Sequence, residues 1–211
     1  MKFGLKFQDI LLYLILNFHL FYTLPLKGSA SFTLSTSENF EKGIRLKTKI
    51  FPNMTILDFG CGSGNVGLSF IDEVQKVIFV DTSSGMINSV KNTLKSKNKK
   101  NYELVNGSIQ DYKGEPVDLV ISSLAFHHVD NLEETIKLFK KFIKSGGKII
   151  IADLYLGEAG FHGFKIPHEG FDPEKLKKIF EKCGFKNVTH ERFADYVLGK
   201  HYKQFILVAE S

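Results

Sequence analysis

From Ser37 onward, short apolar runs of strand length alternate with stretches of helical periodicity, and this alternation leaves few folds open. Met54 to Phe59, Lys76 to Val80, Tyr102 to Val105, Val117 to Ile121 and Lys148 to Ala152 read as buried strands. Helices are expected between them. Ser37 to Ile50 has Ser37 as cap, Phe40 and Ile44 on one face and Pro52 as its stop. Asn65 to Asp72, Met86 to Lys97 and Leu132 to Ile143 follow, the last ended by Ser145-Gly146-Gly147. Strands joined by helical crossovers run parallel, and helices cover both faces of their sheet. The tail departs from the pattern. Asp172-Pro173-Glu174 opens a helix, Cys183-Gly184 closes it, and Phe185 to Arg192 and Phe205 to Val208 then follow as strands with no helix between. The expected fold class is α/β: a doubly wound, mostly parallel seven-stranded sheet with a C-terminal antiparallel hairpin at its edge.

In such sheets ligands lie at the carboxyl ends of the strands, where the strand order reverses. The first strand runs there into Asp58-Phe59-Gly60-Cys61-Gly62-Ser63-Gly64. Glycines allow positive φ and close backbone approach to a ligand, and the helix that follows presents free N–H groups. Two readings compete. Gly62-Ser63-Gly64-Asn65-Val66-Gly67 matches the dinucleotide fingerprint G-x-G-x-x-G, and Asp81 lies 19 residues after Gly62. Counted from Gly60, however, which follows the strand directly, the third glycine position falls on Asn65. The pattern D-x-G-x-G-x-G fits in full at Asp58, Gly60, Gly62 and Gly64. A carboxylate at the strand tip would repel a pyrophosphate and suits a ligand with a cationic end.

With these residues the chain resembles the class I S-adenosylmethionine-dependent methyltransferases, in their small-molecule branch, over about Met54 to Glu210. Val80-Asp81 resembles the second motif, whose acid holds the ribose hydroxyls. Asn106-Gly107-Ser108-Ile109 resembles the loop flanking adenine, and Asp118 to Leu124 with His127-His128 the fourth-strand motif. Phe142 to Lys148 resembles the turn into the fifth strand. The resemblance implies a Rossmann-like fold with S-adenosyl-L-methionine as cofactor, held by Asp58, Gly60, Cys61, Gly62, Gly64, Asp81, Thr82, Ser108, Ile109, Ser122 and Ser123. It also shows departures. Ser108 stands where an acid often contacts adenine, Lys144-Ser145 replaces a lysine–proline pair, and a hydrophobic arm stands where relatives carry a helix that closes over substrate.

Methyl transfer from a sulfonium is an in-line displacement, and a base is needed only if the acceptor must lose a proton. His127 and His128 are base candidates at the ligand end of the fourth strand; the plainer alternative is that one packs or caps the next helix. His162 and His168 are further candidates, in the aromatic connection from Asp153 to Gly170 that is expected above the cofactor as a substrate lid. Its phenylalanines equally suit an ordinary loop pinned to the core. No metal site is expected, because adjacent histidines point apart and no cysteine or carboxylate spacing supports them. Cys61 reads as packing, not as a nucleophile. The sequence Ile121-Ser122-Ser123-Leu124 lacks the Asn-Pro-Pro-Tyr-like motif of methylation at exocyclic or amide nitrogen, which disfavours DNA adenine and protein glutamine.

Formal net charge is +5, but Arg45 and Arg192 are the only arginines among 28 basic residues. Lysines spread over solvated faces, including Lys91 to Lys100, so nucleic acid is not an expected partner. Cys61 and Cys183 make no disulfide framework. Residues 1–36 read as a hydrophobic arm. Lysines precede the apolar stretch Ile10 to Leu24, and Gly28-Ser29-Ala30 has the look of a signal cleavage site. The stretch is short for a bilayer span. A docked arm, membrane contact through residues 8–26 and a secretory signal are the alternatives. Residues 37–211 then form the cofactor domain of a cytoplasmic enzyme acting on a small molecule. Its rivals are a cofactor-binding or membrane-docked protein without catalysis and, on the fingerprint reading, an NAD-dependent oxidoreductase. Acceptor identity and oligomeric state are left open.

Overall fold

The computed structural model describes residues 36–157, 166–194 and 202–211. The chain divides into two units, Met1–Thr33 and Leu34–Ser211, and all described residues lie in the second. The hydrophobic stretch 8–26 therefore falls outside them. In chain order the elements are α1 (Thr36–Lys47), β1 (Thr55–Phe59), α2 (Asn65–Phe70), β2 (Lys76–Asp81), α3 (Ser84–Ser96) and β3 (Tyr102–Asn106), then β4 (Val117–Ser123), α4 (Leu132–Phe142), β5 (Ile143–Leu154), α5 (Pro173–Lys182), β6 (Lys186–Ala194) and β7 (Gln204–Glu210). Short 3-10 turns at Ile109–Asp111 and Phe126–His128 follow β3 and β4.

The strands form one seven-stranded sheet in the order β3-β2-β1-β4-β5-β7-β6. β1 to β5 pair in parallel, and β7 runs antiparallel between β5 and β6. The expected architecture is thus the observed one. Strand order reverses between β1 and β4, which makes the carboxyl ends of those two strands the natural ligand position.

Strand alternation divides the core in two. Ile56, Val77, Phe79, Leu119, Ile121 and Ile150 face one layer, covered by Phe40 and Ile44 of α1, Val66 and Phe70 of α2, and Val90 and Leu94 of α3. Leu57, Ile78, Val80, Val120, Ile149 and Ile151 face the other, covered by Ile136 and Phe139 of α4 and Leu176 and Phe180 of α5. Both faces are buried, so these strands read as continuous apolar runs. Arg45 ties α1 to the turn after α2: its guanidinium donates to Glu41 at 2.8 Å and to both oxygens of Glu73, and lies 4.8 Å from the Phe70 ring centre.

Several boundaries differ from the sequence expectation. α1 stops at Lys47 rather than Ile50, and Ile50 packs on the core from extended chain. α2 stops at Phe70, where a turn buries Ile71 and Val74. α3 begins at Ser84, two residues early, because the Ser83 hydroxyl caps it by accepting from Met86 N at 3.3 Å. The largest difference is at Ser145-Gly146-Gly147. Those residues lie within β5 as a bulge: Val117 pairs with Ile143 and Leu119 with Lys148, so α4 already ends at Phe142. Asp118 holds the bulge, accepting from Lys144 Nζ at 2.9 Å and from Thr55 N at 2.7 Å. Among the described residues, no helix is long and apolar enough to cross a membrane.

Candidate functional site

The loop after β1 is built around two carboxylates, each serving backbone amides. Gly60 N and Cys61 N both donate to Val80 O, at 2.8 and 3.1 Å, which folds the loop over the end of β2. Asp81, the last residue of β2, accepts from Gly62 N through Oδ2 and from Ser83 N through Oδ1, each at 2.8 Å. Its carbonyl accepts from Gly107 N at 3.0 Å and from Asn106 Nδ2 at 3.1 Å. Asp81 thus joins the loops after β1, β2 and β3. Each of its carboxylate oxygens retains lone-pair capacity for a ligand hydroxyl.

Asp58 lies deeper, at 2% exposure, and its Oδ2 accepts from Gly67 N in α2 at 2.9 Å. Burial, and secondarily the charge of Asp81, pushes its carboxyl up to about 7, against the lowering effect of the Gly67 hydrogen bond. Among the described residues it meets no cation. A buried carboxylate in that condition fits a ligand that brings positive charge. Above the loop there is room: a Cβ placed on Gly62 (φ 53°) would meet nothing within 4 Å. Open space at Gly62, beside Asp81 and near Asp58, is a cradle that fits the amino-acid and ribose ends of S-adenosylmethionine.

The loop also touches the other side of the switch point. A Cβ on Gly60 (φ 65°) would stand 2.3 Å from Ala125 Cβ, so the loop after β1 packs directly on the turn after β4. That turn carries the two adjacent histidines, and the structure separates them. His127 is fully buried; its N donates to Asp153 Oδ2 at 3.1 Å and its Nδ1 lies 2.6 Å from Asp153 Oδ1. His128 is exposed, with its ring centre 4.3 Å from that of His127. Partial desolvation against the turn, then the neighbouring imidazole, hold its pKa below the ordinary histidine value. A histidine so placed is neutral at pH 7 and able to take up a proton.

The remaining expected residues distribute as follows. Gly64 packs under Val90 and Phe79 at the base of the loop. Cys61 flanks the loop with its thiol pushed strongly upward, by burial first and then by Asp58 and Asp81, so it is no nucleophile. Thr82 is exposed beside Asp81. Ser108 caps the 3-10 turn, its hydroxyl accepting from Gln110 N at 3.3 Å, while Asp111 Oδ2 accepts from Ser108 N at 2.8 Å. Ile109 is buried in the core. Ser122 is fully buried, with its hydroxyl unpaired in the structure, and Ser123 is half-buried at the end of β4. His168 is half-buried, with N donating to His127 O at 3.2 Å and Nε2 3.0 Å from Val129 O. His162 and Phe161 to Phe164 lie outside the described residues. Asp153 was expected only as the start of a connection. Its place at the end of an apolar strand, like Asp58 and Asp81, is the signal that would have marked it.

Comparison with known proteins agrees with this geometry. Residues 50–198 match the family model described as a methyltransferase domain. An uncharacterized methyltransferase of Schizosaccharomyces pombe is 28% identical over 153 residues, 64% of this chain and 54% of that protein. Phosphoethanolamine N-methyltransferase 1 of Zea mays is 25% identical over 80% of this chain and 34% of its own length. The chain thus spans about half of the first relative and a third of the second. Among solved structures, an S-adenosylmethionine-dependent methyltransferase from Aquifex aeolicus superposes with TM-score 0.62 over 84% of this chain and 98% of that one, at 17% identity. The phosphoethanolamine N-methyltransferase 2 of Haemonchus contortus, solved with phosphomonomethylethanolamine and S-adenosylhomocysteine, superposes with TM-score 0.73 over 100% of this chain and 61% of its own, at 15% identity. The match over most of the chain, on a sheet of the expected order, places the protein in the methyltransferase-domain family, among the class I S-adenosylmethionine-dependent methyltransferases.

Proposed function

We propose that the chain transfers a methyl group from S-adenosylmethionine to a small molecule that loses a proton in the reaction. The observation that carries this reading is the contact of Gly60 with Ala125, which sets the cofactor loop against the turn bearing His128. When bound, the cofactor supplies a methyl group already activated on sulfonium, so the protein's task is to position the partners. Asp81 holds the ribose hydroxyls, the open face of the loop at Gly62 receives the amino-acid end, and Asp58 offsets positive charge from below. His128 Nδ1 or Nε2 takes the acceptor's proton. His127, sealed inside, positions the turn.

The acceptor class draws support from the maize and Haemonchus relatives, whose names give phosphoethanolamine, an amine that loses a proton on each methylation. Residues 37–211 serve as the catalytic domain, and residues 1–36 as a hydrophobic arm: a signal-like, anchoring or docked segment. A cytoplasmic setting suits the two free cysteines. Calorimetry of the full chain is the first test. Micromolar S-adenosylhomocysteine binding, lost in Asp81→Ala, is expected; NADH binding in its place would overturn the reading. Radiolabelled methyl transfer to a panel of small amines, hydroxyls and thiols, led by ethanolamine phosphate, then identifies the acceptor. Strong cofactor binding with no transfer to any panel member would favour the non-catalytic binder.

A further inference from the structure

Five polar residues are buried among the described residues: Asp58, Ser122, His127, Asp153 and Gln204. Asp58 belongs to the cofactor loop. The pair His127–Asp153 belongs to neither the loop nor the surface: both side chains are fully buried. Apolar residues of similar volume would fill that space without the desolvation cost of a carboxylate, so the pair calls for a positional explanation.

Its contacts supply one. Asp153 Oδ1 accepts from Leu154 N at 2.7 Å and pairs with His127 Nδ1, while Oδ2 accepts from His127 N. One carboxylate thereby fixes the end of β5, the backbone of the Phe126–His128 turn and the His127 ring. The turn in turn receives the limb that returns to α5. His168 bonds to it twice, through its backbone N to His127 O and its ring to Val129 O. Three residues on, Phe171 N donates to Leu154 O at 2.8 Å and Leu156 N to Phe171 O at 2.7 Å, so the returning limb is sewn to the strand end that Asp153 occupies. Gly170 (φ 90°) permits this, since a Cβ there would stand 2.3 Å from Tyr155 O.

We propose that Asp153 is a positioning residue for methyl transfer: through His127 it sets where the His128 ring stands, and through the same turn it sets where residues 166–171 return. The proposal rests on the reading of His128 as proton acceptor. Asp153 itself is fully buried from solvent. Among the described residues, the titratable groups that face His128 include His127 on its own turn and Asp153 from β5, with His168 bonded to the same turn from the returning limb.

The full chain, labelled in its histidine rings and followed by NMR and amide exchange, tests this with Asp153→Asn and His168→Ala. The wild type is expected to show a slowly exchanging His127 Nδ1 proton and cross-peaks between the His127 and His128 rings. Asp153→Asn should lose both and exchange the His127 and His168 amides at least tenfold faster. It should bind S-adenosylhomocysteine within threefold of wild type. The His128 titration midpoint should rise, because release of the turn hydrates the ring. Loss of a nearby negative charge alone would lower it, and a fall or no change overturns the proposal. So do intact ring signals, or loss of cofactor binding along with them. His168→Ala, at a half-buried site, should speed exchange over 166–171 and leave the His127 proton in place; an unchanged limb overturns its half of the proposal. Undiminished turnover in His128→Ala would instead overturn the proton-acceptor reading alone, with the Asp153→Asn signals as expected.

Discussion

At the scale of single residues, the shifts of Asp58 and His128 can be measured. Asp58 is raised from 3.8 to about 7. Between those values the folded protein keeps a proton that the unfolded chain has lost. Folding therefore becomes less favourable as pH rises from about 4 to about 7, and the effect is constant above that. The full shift corresponds to at most about 4 kcal/mol. Asp58→Asn should remove this slope. Urea unfolding at pH 5 and pH 8 should show the variant gaining stability relative to wild type at the higher pH, even as its preference for a cationic ligand falls. Equal differences at both pH values would mean that Asp58 is ionised throughout. His128 is shifted down, so the base form is populated from slightly acid pH upward. The kcat–pH profile should rise through a midpoint below the ordinary histidine value of about 6.5 and stay level to pH 8. His128→Ala should cost roughly 10²–10⁴-fold in kcat with little change in the KM for S-adenosylmethionine.

At the scale of elements, the packing of the loop after β1 on the turn after β4 is a close steric match. Gly60→Ala places a methyl group 2.3 Å from Ala125 Cβ and forces a non-glycine residue to φ 65°. Affinity for S-adenosylhomocysteine should fall at least tenfold, on an estimate of about 1–2 kcal/mol for the backbone alone. Ala125→Gly in the same chain should recover part of the loss, and a calorimetric double-mutant cycle reads the coupling; strict additivity would mean the two loops do not share that volume. Much of this architecture was legible in the sequence, because strands buried on both faces leave long apolar runs and Asp172-Pro173 marks a helix start. What was not legible came from contacts distant in the chain. Gly146-Gly147 resembles a helix stop and is a bulge, since Asp118 and Thr55 hold it from another part of the sheet. His127 and His128 are identical in sequence terms. Asp153, 26 residues away, draws one inward and leaves the other outside.

At the scale of the whole molecule, ligand binding and stability are linked. On the proposed reading, a cofactor held by the loops after β1, β2 and β3 binds the folded chain alone, so S-adenosylhomocysteine at a hundred times its Kd should add about 2.7 kcal/mol. For a domain of this size that is a Tm increase of roughly 5–11 °C, measurable by scanning calorimetry. Asp81→Ala should abolish the increase, whereas NADH should produce none.

The position of β7 has a consequence for the timing of synthesis. This strand, Gln204–Glu210, lies between β5 and β6, and Phe205 pairs with Asp153 itself. β1 to β4 and their helices emerge first and carry the loops proposed to hold the donor. β5 cannot gain its second neighbour until β7, which follows β6 in the chain, has left the ribosome. A nascent chain will therefore assemble the donor side early and the acceptor side last, with the edge of β5 open in the interval and in need of protection from other chains.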